Sequence, residues 1–470
     1  MGGGGAMGQR RVLNVNVGIL GHVDSGKTSL SRALSTLLST ASLDKNPQSA
    51  ERGITLDLGF SAFEVAEERV PDDVRAAGYD ALQFTLVDCP GHASLIRTIL
   101  GGAQIIDIMM LVIDVTKGIQ TQTAECLVVG ELCTRDLLVV LNKTDMLPEK
   151  GREAALAKTT KRLRATFAAT KFPDAPFIPA CARPGGPESD AAPEGLGELV
   201  DTLLKAVRPP SKDDHKAPLL FAVDHCFPIK GQGTVLTGTV LQGQIEVGQT
   251  VELPALKLER KVKSMQMFKK PCSLARRGDR LGVCVTQLDA ALVERGVVAE
   301  PGSVPTITGA LARVERIRFY KSAIASKQKV HVTVGHATVM ATVRFFGREA
   351  PEAANGGGGG DGALPAFDFG GEYCHQDELF GPGTFEPSDD ERARSGVGWP
   401  REQWALLDFD TAVTCPEGAL MIAAKLDTDA HTPTCRLMFH GRLSCAFDAK
   451  NKVSSARAPA HHLAQTAGTP

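Results

Sequence analysis

The sequence lacks an excess of charge of either sign, because 52 Lys+Arg face 54 Asp+Glu among its 470 residues. This balance excludes a chain that wraps nucleic acid or an anionic membrane over its whole surface, so any contact with RNA has to come from a local patch. The chain also lacks a run long enough to cross a bilayer, since Asp107 and Asp114 interrupt the apolar residues 105–115. No apolar signal-peptide core precedes the first expected strand. We therefore expect a cytoplasmic protein without a membrane partner.

The 11 cysteines include no Cys-x-x-Cys pair, and their number is odd. This pattern indicates neither a zinc site nor a disulfide framework, and we expect reduced, mostly buried thiols. Hydrophobic residues make up 43% and charged residues 23% of the chain, as in ordinary globular proteins. The length predicts about three domains.

Residues 11–208 alternate between strand-like and helical patterns, after a glycine-rich stretch at 1–10 that we expect to be disordered. The first strand is predicted by Leu13, Val15, Val17 and Ile19, which alternate with polar or small residues. Further strand-like runs occupy residues 84–87, 109–115, 137–141 and 177–179, with helical segments between them. The alternation predicts an α/β domain with a mostly parallel sheet and helices on both faces.

Beyond residue 208, short apolar runs punctuated by glycine replace the helical periodicity. Residues 217–303 and 304–447 predict two successive β-barrel domains. At about 349–400 the second of these contains many glycine, proline and acidic residues, which predict a disordered insertion. Residues 448–470 lack periodicity and predict an unstructured tail.

A phosphate-binding loop is predicted between the first strand and the first helix, where residues 21–28 fit G-x-x-x-x-G-K-[ST]. Backbone N–H groups and the helix N-terminus offer a dense anion many fixed donors, and glycine allows their close approach. Lys27 is expected to reach the β- and γ-phosphates, and the Thr28 hydroxyl to ligate Mg²⁺. The predicted nucleotide-binding residues of this loop are Gly21, Asp24, Ser25, Gly26, Lys27 and Thr28.

Two further motifs follow predicted strands in the chain order typical of GTP-binding proteins. Residues 88–92 read Asp-Cys-Pro-Gly-His, which places the Asp88 carboxylate near Mg²⁺ and the Gly91 N–H toward the γ-phosphate. Residues 142–145 read Asn-Lys-Thr-Asp. Asp145 is expected to accept hydrogen bonds from N1–H and the exocyclic amine of guanine, which adenine cannot offer together, with Asn142 and Lys143 assisting. The three motifs predict binding of GTP rather than ATP.

With Glu51-Arg52-Gly53-Ile54-Thr55 ahead of the Asp-Cys-Pro-Gly-His motif, residues 11–446 resemble a translational GTPase of the elongation factor Tu type. The resemblance implies that Thr55 completes the Mg²⁺ site and that His92 orients the attacking water. It also implies that Val23 and Ile54 form an apolar gate in front of His92. The guanine loop of the family corresponds here to Cys181, Ala182 and Arg183, and the Ala182 N–H is expected to meet guanine O6.

Within that family, three longer runs are similar to the eukaryotic selenocysteine-specific elongation factors. They are residues 44–48 (DKNPQ), 55–61 (TLDLGFS) and 223–234 (VDHCFPIKGQGT), supported by 278–282 (GDRLG), 413–416 (VTCP) and 434–437 (TCRL). The resemblance implies selenocysteinyl-tRNA, the ribosome and the RNA recoding-signal complex as partners of a monomeric factor. It also implies that Asp224, His225 and Arg280 line the pocket for the aminoacyl end.

The chemistry of selenium is consistent with such a pocket. Selenols are more acidic than thiols, whose reference pKa is about 8.5, so selenocysteine enters largely as an anion whereas its precursor serine is neutral. A cationic Arg280, and His225 when protonated, would favour the anion. Asp224 either binds the α-amino group or holds His225 charged, and the sequence does not decide between these roles.

One departure from the family concerns its fourth, basic domain, because the sequence leaves the family pattern near residues 441–449. We expect that the domain coupling the factor to the recoding signal is absent. A truncated, non-productive tRNA-binding form is therefore one alternative function. A general elongation factor Tu-like GTPase and the GTP-driven subunit of a sulfate adenylyltransferase share the architecture and are the others.

Overall fold

The structure, a computed structural model, describes residues 10–35, 37–38, 58–90, 96–186, 189–210, 216–348, 367–381, 402–427 and 435–448. The chain divides into two compact units. The first contains residues up to 253 together with 258–300, and the second contains residues 254–257 together with those from 301 onward. Within the described helices, no segment has the length and apolarity needed to span a membrane.

The first unit begins with a seven-stranded sheet in the order β2-β3-β4-β1-β5-β6-β7. Strands β4, β1, β5, β6 and β7 are parallel, while β2 and β3 add an antiparallel edge, which confirms the mostly parallel sheet. Its strands are β1 (Val12–Leu20), β2 (Leu37–Leu38), β3 (Gly59–Glu64), β4 (Ala81–Asp88), β5 (Ile108–Asp114), β6 (Asp136–Asn142) and β7 (Phe177–Pro179). Its helices are α1 (Lys27–Leu34), α2 (Asp72–Ala76), α3 (Ile96–Ala103), α4 (Thr121–Cys133), α5 (Arg152–Phe167) and α6 (Leu196–Ala206).

The alternation in β1 divides its side chains between two environments. Leu13, Val15, Val17 and Ile19 join the apolar core with residues of the neighbouring strands. Asn14 and Asn16 point to the opposite face and are also buried. Burial on both faces is usual for parallel strands, and here it leaves two amides that need hydrogen-bond partners.

The rest of the first unit is a closed barrel of six strands in the order β11-β16-β8-β9-β15-β12, in which β11 also pairs with β12. The strands after β7 are β8 (Leu220–Ile229), β9 (Gly233–Gln242), β10 (Gln244–Glu246), β11 (Thr250–Leu253), β12 (Leu258–Met267), β13 (Lys270–Cys272), β14 (Leu274–Arg276), β15 (Arg280–Val285) and β16 (Gly296–Ala299). Strand β13 extends the sheet beside β12, and β10 pairs with β14.

The second unit holds another closed barrel of six strands, in the order β18-β22-β23-β17-β21-β19, with β18 pairing with β19. Its strands are β17 (Thr306–Arg316), β18 (Lys329–Val334), β19 (Ala337–Arg348), β20 (Cys374–Gln376), β21 (Glu402–Thr414), β22 (Leu420–Ala424) and β23 (Leu437–Phe447). The predicted architecture of one α/β domain followed by two β-barrels is thus confirmed.

The prediction of a disordered insertion at 349–400 is wrong for residues 367–381. This segment contains β20, which pairs with β19, and the Phe367 ring lies 5.0 Å from that of buried Trp404. Arg348 holds the segment further through an ion pair with Asp368. Aromatic packing thus outweighs the glycine-rich composition of the insertion. The expected disordered N-terminus, except Arg10, and the expected tail, except Asp448, lie outside the described residues.

Candidate functional site

The loop between β1 and α1 has a backbone that only glycine fits at two positions. Gly21 has φ 149°, and a Cβ there would lie 2.3 Å from the Val112 carbonyl oxygen. Gly26 has φ 90°, and a Cβ there would lie 2.2 Å from Asn142 Nδ2. Asp24 between them also adopts a left-handed conformation. The loop therefore packs directly on the ends of the neighbouring strands, in the conformation expected for a phosphate-binding loop.

Lys27 and Thr28 open helix α1 beneath this loop. Lys27 is buried, and its Nζ donates a hydrogen bond to the His22 carbonyl oxygen at 2.8 Å. Burial lowers the pKa of Lys27, and the negative charge of Asp88 opposes the shift. Thr28 Oγ1 donates to Asp88 Oδ2 at 2.6 Å. A hydroxyl and a carboxylate side by side are the oxygen ligands that Mg²⁺ prefers, so these residues fit the predicted metal site.

Asn142, at the end of β6, connects the phosphate loop with the predicted guanine loop. Its Nδ2 donates to the Ser25 carbonyl oxygen at 2.8 Å, and its Oδ1 accepts from Ala182 N at 3.1 Å. Ala182 N–H, the donor expected to meet guanine O6, is thus held by Asn142 next to the phosphate loop. Asn142 therefore holds the two loops together.

Asp145 lies in the guanine loop with both carboxylate oxygens engaged. Oδ1 accepts from Cys181 Sγ at 3.0 Å, and Oδ2 accepts from Gly185 N at 3.1 Å. Burial opposes ionisation of Asp145, but these hydrogen bonds outweigh it and lower its pKa. The same burial and the Asp145 charge raise the pKa of Cys181 to about 11. Asp145 is thus an oriented anion, the kind of acceptor that can pair with the N–H groups of guanine, and the thiol beside it is neutral. Arg183 next to them is exposed.

The sequence reading missed one member of this site, Asp114. It is buried at the end of β5, in register with Asn142. Its carboxylate forms an ion pair with Lys143 Nζ at 3.0 Å and accepts hydrogen bonds from Thr116. Lys143 itself has φ 65°. The sequence signal that could have identified Asp114 is an acidic residue at the end of an apolar strand.

Several predicted residues cannot be placed. Ile54, Thr55, Gly91 and His92 lie outside the described residues. Val23, the other half of the predicted gate, is partly buried, and its backbone N–H donates to Gln122 Oε1 at 3.3 Å.

Asp224, His225 and Arg280 come together in the first barrel, where β8 and β15 flank β9. Asp224 and Arg280 are 5% and 3% exposed. Both guanidinium Nη atoms of Arg280 donate to the Asp224 carboxylate, Nη2 at 3.1 Å from Oδ1. Asp224 Oδ1 also lies 2.8 Å from His225 Nδ1 and accepts from Thr237 Oγ1 at 2.9 Å. Burial opposes ionisation of Asp224, but the Arg280 charge outweighs it and places its pKa far below the usual range.

Arg280, expected as a cation of the pocket, is buried and paired in this structure. Its charge is balanced by Asp224, and its guanidinium carbon lies 3.1 Å from the centre of the Phe60 ring on β3. His225, whose side chain is 32% exposed, is the accessible member of the cluster. Asp224 holds both basic side chains at once.

A polar seam joins the nucleotide domain to this barrel. Asn14 Nδ2 donates to Asp279 Oδ1 at 2.5 Å, and Asn16 Nδ2 donates to the Gly278 carbonyl oxygen at 3.0 Å. Gln83 Nε2 donates in turn to Asn14 Oδ1 at 2.6 Å. The two asparagines of β1 thus form hydrogen bonds with Gly278 and Asp279, the two residues that precede Arg280 in the chain.

Comparison with known proteins places these features among characterised families. Residues 13–213 match the model of the elongation factor Tu GTP binding domain, and residues 311–441 match that of the third domain of eukaryotic selenocysteine-specific elongation factors. The chain is 52% identical over 459 residues to the selenocysteine-specific elongation factor of Mus musculus, covering 96% of this chain and 77% of that protein. The corresponding factor of Methanocaldococcus jannaschii is 36% identical over 333 residues, 70% of this chain and 66% of its own length.

Among solved structures, elongation factor SelB of Methanococcus maripaludis in complex with the GTP analogue GppNHp superposes with a TM-score of 0.71 at 26% identity. The match covers 94% of this chain and 81% of that one. A bacterial selenocysteine-specific elongation factor shares the fold at a TM-score of 0.64 and 18% identity, over 92% of this chain and 58% of that one.

Proposed function

Since the chain belongs to the family of selenocysteine-specific elongation factors, which are translational GTPases, we propose that it carries selenocysteinyl-tRNA to the ribosomal A site at UGA recoding codons. It binds GTP and is a GTPase. The proposal adds that the GTP state binds the charged tRNA and that hydrolysis releases it. The main support for this proposal is the Asp224–Arg280–His225 cluster. It belongs to the same unit as the phosphate loop, and its Arg280 guanidinium packs on the ring of Phe60 in β3.

For hydrolysis, we propose that Thr28, Asp88 and Thr55 hold Mg²⁺, which would offset the negative charge of the phosphates. Lys27 and the N–H groups of the loop bind the phosphates, and Asp145 selects guanine. His92 orients the attacking water, and Val23 with Ile54 keeps His92 away until the ribosome binds. Phosphoryl transfer needs this kind of positioning more than covalent chemistry.

For amino-acid selection, we propose that the accessible His225 contacts the selenium atom, while the buried Asp224–Arg280 pair fixes the position of His225. A hydrogen bond to a charged group contributes about 1.5 to 3 kcal/mol, so one such contact discriminates selenocysteine from serine by about ten- to a hundredfold. We further propose that the factor is cytoplasmic and monomeric, and that the RNA recoding-signal complex is one of its partners.

The test measures protection of selenocysteinyl-tRNA and seryl-tRNA against ester hydrolysis in the presence of GTP. We expect strong protection of the first and weak protection of the second. His225→Ala should bring the two toward equality while GTP affinity stays unchanged. Equal protection of both tRNAs by the wild-type protein would refute selenocysteine selection, whereas an unaltered preference in His225→Ala would refute only the role of His225.

A further inference from the structure

Phe60, the second residue of β3, supplies the aromatic ring on which the Arg280 guanidinium stacks. The guanidinium carbon lies 3.1 Å from the ring centre, and the Phe60 and Arg280 residues are 0% and 3% exposed. A cation over a ring is attracted by the negative charge of the ring face, and exclusion of water strengthens the attraction. The ring therefore helps to fix Arg280, although it belongs to the nucleotide domain and not to the barrel.

The Phe60 ring lies on the face of the sheet opposite to the apolar core. Side chains alternate between the two faces of a strand, and Phe63 of β3 joins the core beside Phe84 of β4. Phe60 pairs with Val87 of β4, on the face that also carries Gln83 of the polar seam. The ring is thus turned toward the barrel, where it contacts Arg280.

Arg280 is oriented in this arrangement, but its hydrogen-bonding capacity is not used up. Both Nη atoms donate to Asp224, whereas Nε is buried and has no hydrogen-bond partner in the described part of the chain. A buried donor without a partner is unfavourable, because it has lost its water without gaining an acceptor. The stack with Phe60 offsets part of this penalty, so the orientation of Arg280 depends on the ring.

Strand β3 connects the ring to the nucleotide site through described backbone pairs. Gly59 pairs with Asp88 at the end of β4, and Asp88 accepts a hydrogen bond from Thr28 in the phosphate loop. Phe60 also follows Thr55, the proposed Mg²⁺ ligand, by five residues, which span at most about 18 Å when extended. A change at the phosphates therefore has a short route to the ring, along β3 and along this linking segment.

We propose that Phe60 is a positioning residue that couples the amino-acid pocket to the nucleotide site. In the GTP state its ring holds the Arg280–Asp224 pair, and through it His225, in the orientation that binds selenocysteine. Loss of the γ-phosphate releases the start of β3 and with it the ring. The coupling is reciprocal, so selenocysteine in the pocket also stabilises the GTP state. This inference deepens the proposed function, on which it rests for selenocysteinyl-tRNA as the ligand.

The experiment measures the Kd of the full chain for selenocysteinyl-tRNA with GDP and with a non-hydrolysable GTP analogue, and takes the ratio of the two values as the coupling. In one variant pentafluorophenylalanine replaces Phe60, which keeps the ring but reverses the charge of its face. A second variant, Phe60→Leu, removes the ring. The matched control Phe84→Leu removes an equally buried ring from the core face of the same sheet.

We expect both Phe60 variants to lower the coupling by about ten- to thirtyfold, the factor that corresponds to one desolvated cation–π contact. The loss falls on the GTP state alone. Phe84→Leu should leave the ratio unchanged, because a purely structural defect weakens binding in both nucleotide states alike. Deacylated tRNA has no amino acid for the pocket, so its ratio should be the same in the Phe60 variants and the wild-type protein.

GTP affinity verifies that each variant is folded. If Phe60→Leu fails to bind GTP, the pentafluorophenylalanine variant decides alone, because its ring is almost unchanged in size. Wild-type coupling in that variant overturns the inference, and so does an equal loss of coupling with deacylated tRNA.

The wild-type protein tests the proposed function separately. If it does not protect selenocysteinyl-tRNA in preference to seryl-tRNA, the proposed function is refuted and this inference with it. Preferential protection by the wild-type protein, together with unaltered coupling in the Phe60 variants, refutes only the role of Phe60.

Discussion

At the scale of single residues, the buried Asp224–Arg280 pair is the feature with the largest predicted effect on stability. Removing one partner of a buried ion pair leaves an uncompensated charge and typically costs 3–5 kcal/mol. We expect Arg280→Met to lower the free energy of unfolding by about this amount, measured by chemical denaturation. The exposed pair between Lys329 and Asp410 offers a control, because Lys329→Met should cost less than about 1 kcal/mol. Equal losses in both variants would contradict the role of burial.

A smaller effect, on GTP affinity, is predicted for substitution of Cys181, because its thiol donates a hydrogen bond to Asp145. A hydrogen bond to a charged group contributes about 1.5 to 3 kcal/mol, and a thiol is a weak donor, so the lower value is the upper bound here and Cys181→Ala should weaken GTP binding by no more than about tenfold. Cys181→Ser retains a donor and should restore the affinity, measured by titration with a fluorescent guanine nucleotide. A serine variant as weak as the alanine variant would show that the thiol does not orient Asp145.

Residue motifs identified which loops to examine, but they did not predict how the charged side chains of the described residues pair with one another. The fixed spacing around Lys27 and Thr28 identified the phosphate loop because glycine and lysine must stand at set positions along one loop. Arg280 and Asp224 are far apart in sequence, and only the register of the barrel strands reveals that they neutralise each other. Asp114 escaped notice for the same reason, because its partner Lys143 belongs to another strand end.

At the scale of elements, strands with regular apolar patterns were predicted closely. The expected run 177–179 coincides with β7, and the expected runs 84–87 and 137–141 lie within β4 and β6. Segment 367–381 was not predicted, because a composition average over 50 residues hides three aromatic residues, Phe367, Phe369 and Tyr373, that pack near Trp404. The structural role of such a segment depends on the partner surface, which local sequence does not describe.

The polar seam between β1 and the first barrel predicts a pH dependence of stability. Burial raises the pKa of Asp279 to about 6. The hydrogen bonds from Arg276 N and Asn14, and the charge of Arg276, act in the opposite direction but are outweighed. Burial likewise raises the pKa of Asp107, which accepts from Asn16. A carboxyl group whose pKa is higher in the folded state binds more protons there than in the unfolded chain. Its contribution to stability is therefore present below pH 4 and is lost as pH rises to about 6.

Chemical denaturation between pH 4 and pH 7 measures this effect. Ionisation of Asp279 should lower the free energy of unfolding by at most about 3 kcal/mol. The loss is smaller to the extent that solvent screens this partly accessible residue. Asp279→Asn should flatten the profile, whereas Asp174→Asn, at an exposed site, should leave it unchanged. A wild-type profile that rises steadily over this range, and that Asp279→Asn does not alter, would contradict the assignment.

At the scale of the whole molecule, the division into two units predicts how nucleotide binding affects unfolding. The phosphate loop, the guanine loop and the first barrel all belong to the first unit, and the seam couples its two domains. A ligand that binds only the folded state stabilises the unit that holds it, by about 2.7 kcal/mol at a hundredfold excess over Kd. In calorimetry of the full chain, GTP should therefore raise one transition by about 5 to 10 °C and leave the other in place.

ATP at the same concentration is the matched control, because Asp145 selects the guanine base and ATP should shift neither transition. Asp145→Ala should abolish the shift produced by GTP without altering the transition of the second unit. If GTP instead moves both transitions together, the two units unfold as one cooperative body. Nucleotide binding in the first unit would then stabilise the second barrel, and the division seen in the structure would not extend to the energetics of the chain.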